Sequence, residues 1–102
     1  IAWVTRVKDR PLLRQCISAF RKHAAFPSEG GAVPDVLPGT AWSDHWSFWQ
    51  FDYPAVMLTD TLPFRNPHYH EPTDTADRLD YNRTARVADG LLAVIRDLAG
   101  QQ

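Results

Sequence analysis

Two of the chain's four histidines, His68 and His70, stand two residues apart in the stretch RNPHYHEPTDT, residues 65–75, with Tyr69 between them. Neutral imidazole is a common zinc ligand. In an extended segment, residues i and i+2 project to the same side, so the pair could offer two nitrogens to one ion, and His45 could add a third. A small mononuclear three-histidine zinc site is therefore one chemistry open to these residues. The other reading of an H-x-H pair in a loop is that one or both rings face solvent. Ser43, Asp44 and His45 contain the three residue types of a serine-nucleophile triad. As consecutive residues their side chains diverge, whereas a triad needs them in one hydrogen-bonded line. No G-x-S-x-G turn surrounds Ser43, which argues against nucleophilic hydrolysis at this serine.

The chain that must position these groups has 102 residues, the size of one small domain. Its 44% hydrophobic and 23% charged residues are ordinary for a globular protein. With 11 basic against 12 acidic residues the net charge is −1, which gives no electrostatic ground for a nucleic-acid or anionic-membrane partner. No apolar run approaches the length that spans a bilayer. The opening IAWVTRVKDRP reads as a strand and not as a charged segment followed by the apolar core of a signal peptide. The lack of an initiator Met points to a start elsewhere. Cys16 is the only cysteine, so an internal disulfide and a cysteine-based zinc site are both excluded. Its place beside Ile17 and near Phe20 reads as a buried, inert thiol.

IAWVT, apolar and rich in β-branched residues, reads as a buried strand. In DRPLLRQCISAFRKHAAF, Asp9 is the expected N-cap and Pro11 suits the first helical turn. Leu12, Leu13, Cys16, Ile17 and Phe20 recur at helical spacing, with Arg14, Arg21 and Lys22 on the other face. Prolines and glycines in residues 27–40 break regular structure, although GAV could add a short strand. SDHWSFWQFD opens with Ser43 or Asp44 as a cap for an aromatic-rich turn or short helix, and YPAVMLTD is a second strand. NRTARVADGLLAVIRDLAG carries Val87, Leu91, Val94, Ile95 and Leu98 at helical spacing, with Asn82 as the expected cap and Gly100 as the stop. This order predicts an α/β fold, a partial parallel or mixed sheet with flanking helices. In a parallel sheet the functional loops leave the carboxyl ends of the strands, and both SDH and PHYH fit such loops. Two or three strands make a poor sheet, and two helices cannot cover both its faces, so the chain reads as part of a larger fold.

The ordered set of segments resembles the carboxyl-terminal part of the M28 family of zinc-dependent metallopeptidases, which includes aminopeptidases. The matching features are S-D-H at 43–45 with a following Phe48, a strand segment containing Pro54-Ala55, Y-H-x-x-x-D-T at 69–75, and Leu79-Asp80 shortly after. The resemblance runs from the IAWVT strand onward. It implies that residues 1–102 are one carboxyl-terminal segment of a metallopeptidase catalytic domain, and that the complete enzyme hydrolyses peptides with bound zinc. It implies His70 as a zinc ligand and Tyr69 as a hydrogen-bond donor to the tetrahedral intermediate, a role in which a phenolic O–H stabilises a developing oxyanion. Ser43, Asp44 and His45 would act as cap and supporting hydrogen-bond shell, and Asp74 and Thr75 would hold the loop. His68 has no fixed role in the family pattern and would sit at the rim.

The sequence departs from the family where Glu71 stands in place of the usual Thr. The larger departure is that the family's H-x-D motif and its Glu-Glu pair with the general base do not occur. One ligand cannot hold a dinuclear centre. The isolated chain is therefore expected to bind no zinc stably and to be inactive. A competing class is a non-catalytic module that associates with itself, because Trp42, Trp46, Phe48, Trp49, Phe51 and Tyr53 crowd a short stretch.

Overall fold

The computed structural model describes residues 1–34, 41–60 and 67–100. The sequence readings at 35–40 and 61–66 lie outside the described residues. Three strands, β1 (Ala2–Arg6), β2 (Glu29–Val33) and β3 (Met57–Thr59), accompany three helices, α1 (Arg10–His23), α2 (His45–Gln50) and α3 (Tyr81–Leu98). Single 3-10 turns occupy Val7–Asp9 and Ala76–Arg78. The class is α/β, with one mixed sheet in the order β2-β1-β3.

β1 alternates in burial, with Trp3 and Thr5 inside, as a strand covered on one face should. α1 follows immediately and packs on β1 and β2. Its apolar stripe delivers Leu13, Cys16, Ala19 and Phe20 to the core. Trp3 meets Phe20 edge to face at 5.6 Å between ring centroids, a favoured aromatic arrangement. Burial raises the Cys16 thiol above its ordinary value, which matches the inert thiol expected from the sequence.

The GAV segment does form a strand, paired in parallel with β1 from Ala2↔Glu29 to Arg6↔Val33. β3 is antiparallel to β1, with Val4 opposite Met57 and Ala2 opposite Thr59. The reason lies just before β3. Thr5 Oγ1 donates to the Ala55 carbonyl at 2.6 Å and the Asp9 carboxylate accepts the Ala55 N–H at 3.3 Å. The chain thus meets the open edge of β1 at its carboxyl end and must run backward along it. Consequently β3 ends opposite Ala2, at the amino end of β1, while the end of α2 is tied to the carboxyl end. The expectation that SDH and PHYH lie at one carboxyl edge took the strand before PHYH as parallel, which β3 is not, and residues 61–66 that join β3 to PHYH lie outside the described residues.

Two capping expectations also change. Asp9 occupies the N-cap position of α1 without a side-chain cap bond, because its carboxylate is engaged by Arg6 Nε at 2.8 Å and by Ala55. At α3 the cap is Asp80, whose Oδ1 accepts the Arg83 N–H at 3.0 Å. The helix starts at Tyr81, so Asn82 already lies within its first turn. Gly100 takes φ +76° just past the helix end, the left-handed stop that glycine adopts without strain.

α3 packs on α1 through Gly90 and Val94. A Cβ on Gly90 would stand 2.5 Å from Phe20 Cε2 and 2.9 Å from Ala24 Cβ. Alanine is favoured over glycine in a helix by about 1 kcal/mol, but Phe20 is fully buried and cannot yield. Gly90→Ala is therefore expected to destabilise the fold by about 1–3 kcal/mol, the cost of overpacking, with Gly90→Val worse. Urea unfolding at equilibrium measures this, and a stabilised alanine variant would show that the helices can separate freely.

Candidate active-site turn and its support

Residues 67–74 form a compact turn. His68 O accepts the Glu71 N–H at 2.9 Å and Glu71 O accepts the Asp74 N–H at 3.0 Å. His68 Nδ1 lies 2.8 Å from Thr73 Oγ1. His70 adopts φ +57°, a left-handed conformation uncommon outside glycine, though His, Asn and Asp visit it more than most. That residue reverses the chain, so the segment is not extended and the two imidazoles do not project together. His68 is half-buried against the turn, whereas His70 is exposed and has the Tyr69 ring beside it at 4.1 Å and 65°. His68 is thus part of the turn's own bracing and not a simple rim residue. A non-glycine residue held at positive φ costs on the order of 1–3 kcal/mol and persists where its surroundings impose it.

Those surroundings are visible downstream. Arg78 Nε donates to the Thr73 carbonyl at 2.7 Å, and Tyr81 Oη donates to the Ala76 carbonyl at 2.7 Å. Thr75 Oγ1 donates to Asp77. Thr73, Thr75 and Arg78 fasten the turn to the 3-10 turn at Ala76–Arg78, which Tyr81 in turn ties to the start of α3. Asp74 contributes its main-chain N–H to the turn, in place of the side-chain role expected for it.

The SDH segment is built differently. Ser43 and Asp44 are exposed and serve the start of α2 through their carbonyls, which accept the N–H groups of Trp46 and Ser47, each at 3.1 Å. Asp44 makes no side-chain cap bond. His45 is buried and meets the Trp49 ring edge-on at 4.6 Å and 85°. With Ser43 and Asp44 facing water and His45 turned inward, no catalytic triad is formed here.

Among the described residues, no group of three or more His, Cys, Asp or Glu side chains is placed to hold a metal ion. His45, His68 and His70 are therefore not assembled into one site. His70, exposed on a braced turn, suits a single ligand of a centre whose other donors come from elsewhere. The described residues do not by themselves make such a centre. The sequence reading missed Arg6, Asp9, Thr73 and Arg78. The i,i+3 spacing of Arg6 and Asp9 was the available signal for the first pair, masked by the more usual reading of Asp9 as a helix cap.

Residues 4–95 match the family model of peptidase family M28, and the chain belongs to that family, whose members are generally metal-dependent peptidases. It is 41% identical over 95 residues to the uncharacterized protein YfbL of Escherichia coli (strain K12), covering 93% of this chain and 29% of that protein. It is 33% identical over 94 residues to a probable leucine aminopeptidase of Arthroderma otae, covering 87% of this chain and 24% of that protein. A probable leucine aminopeptidase of Arthroderma benhamiae is 31% identical over 93 residues, with 87% and 24% covered. The chain thus spans less than a third of the length of these curated relatives. No solved structure matches it significantly.

Proposed function

We propose that residues 1–102 are a carboxyl-terminal segment of a zinc-dependent M28 catalytic domain that removes amino-terminal residues from peptides. The supporting observation is the turn at 67–74, within the family match, where an exposed His70 is held in a left-handed conformation beside Tyr69. In this reading His70 is one zinc ligand, and zinc, bound with donors from outside this chain, would polarise the scissile carbonyl. Tyr69 directs its O–H toward the oxygen on which negative charge develops, an interaction that strengthens in the transition state. Ser43, Asp44 and His45 support the site from α2, and Asp74 and Thr75 belong to the turn that carries it. The test is hydrolysis of aminoacyl substrates by the full-length protein. Activity lost with a chelator and restored by zinc is expected, while the isolated chain, without the remaining ligands and the general base, releases nothing. Chelator-sensitive turnover by the isolated chain would overturn this reading.

A second reading, a self-associating module without catalysis, is favoured by one observation. Trp42, Trp46, Phe48, Phe51 and Tyr53 are all exposed, Phe51 at 79%. Monomeric proteins rarely leave apolar patches beyond a few hundred Å² uncovered, on the order of 300–600 Å². At roughly 25 cal/mol per Å² such a patch favours association. The isolated chain is expected to sediment as a dimer at micromolar concentration and to shift toward monomer in Phe51→Ser. A clean monomer mass with a cooperative melt would count against association.

A further inference from the structure

One cluster of contacts is used by neither the turn nor the core. The Arg6 guanidinium reaches the Asp9 carboxylate at 2.8 Å, the Trp49 carbonyl at 3.4 Å and the Tyr53 carbonyl at 3.3 Å. It also lies over the Trp49 ring, 5.5 Å from the centroid. The Trp49 indole N–H donates to the Ala55 carbonyl at 3.1 Å, the same carbonyl that takes the Thr5 hydroxyl, while Asp9 holds the Ala55 N–H. Asp9 is 4% exposed and Trp49 7%. Farther out, Lys8 pairs with Asp52 and holds its carboxyl below the usual carboxylate range. A six-residue helix such as α2 has little stability of its own. Its orientation is set by what Trp49 is fastened to. On the other side of Trp49 stands His45, edge-on at 4.6 Å.

We infer that Arg6 and Asp9 are positioning residues of the active site: the planar fork of Arg6, oriented by Asp9, fixes the Trp49 ring, and Trp49 fixes the imidazole of His45. This inference rests on the reading of S-D-H as support for the catalytic centre. Arginine suits the task because its guanidinium can satisfy a carboxylate and two carbonyls in one plane, which a lysine ammonium cannot do. Removing a group that orients a supporting side chain typically costs about 10- to 100-fold in activity. A buried pair that merely held the fold together would not act through His45 in particular.

The experiment uses the full-length protein with Arg6→Lys, His45→Ala and the double variant. Arg6→Lys is expected to lower kcat about tenfold with KM little changed, and to have much less effect once His45 is alanine, because coupled residues are not additive. Equal factors in both backgrounds would overturn the inference. Histidine ε1 carbon labelling supplies a readout independent of catalysis, since the His45 ring proton lies in the field of the Trp49 indole. Its resonance is expected to move in Arg6→Lys while that of His70 stays in place, and an unmoved His45 resonance would also overturn the inference. Should Arg6→Lys fail to fold, Asp9→Asn, which keeps the side chain's shape but removes the charge that orients Arg6 and leaves Trp49 intact, is carried through the same two measurements. If the full-length protein proves to have no peptidase activity, the proposed function fails, while the His45 resonance still decides whether Arg6 orients it.

Discussion

In the full-length protein, His70→Asn is expected to abolish peptidase activity and lower zinc content, while His68→Ala leaves most of both. Asparagine is chosen because it tolerates the left-handed backbone at φ +57°, so that loss of the imidazole is separated from relief of strain. A lost ligand should exceed the roughly 100-fold upper range typical of outer supporting groups. His68→Ala removes the 2.8 Å contact with Thr73 Oγ1 but leaves the main-chain bond from Glu71 N–H to the His68 carbonyl and the bond from Arg78 Nε to the Thr73 carbonyl, so a loss of several-fold is expected. Tyr69→Phe deletes one hydroxyl and should lower kcat by about 100- to 1000-fold, as removal of an oxyanion donor does, with KM little altered. Steady-state kinetics together with metal analysis of each variant reads all three. Equal damage from the two histidine changes would instead favour a site that uses both rings, as in the three-histidine arrangement.

The largest effect on stability is expected at Asp9. Its carboxylate is buried, and Arg6, with a side chain only 13% exposed, depends on it. Asp9→Ala removes the buried carboxylate beside Arg6, leaves it only the exposed Asp52 at 3.5 Å, and frees the Ala55 N–H. Breaking a buried pair from one side costs about 3–5 kcal/mol, against the roughly 5–15 kcal/mol that stabilises a typical domain. The variant should unfold at much lower urea concentration. Replacing both Arg6 and Asp9 with apolar residues should recover part of the loss, since the desolvation of both charges is then avoided. A urea midpoint for Asp9→Ala within experimental error of wild type would show that Arg6 finds other partners.

Much of this protein was legible in its sequence because the signals were local. The apolar stripe of α1 and that of α3, the strand at its start and the stop at Gly100 follow from periodicity and from glycine's freedom at positive φ. The Y-H-x-x-x-D-T segment, with the residues around it, marked the family before any geometry was known. What the tertiary structure alone decided depends on groups far apart in the chain. Ala55 stands 46 residues from Asp9, and no local pattern couples them, yet that contact starts β3 at the carboxyl end of β1 and so runs it antiparallel. Competition settles the caps as well: an aspartate whose carboxylate is claimed by Arg6 no longer caps its helix, and Asp80 captures the start of α3 two residues before Asn82. The orientations of His68 and His70 follow from a single left-handed residue. A period-two pattern of histidines carries no information about such a residue, because the backbone reversal is imposed by the hydrogen bonds that Thr73 and Arg78 make around it.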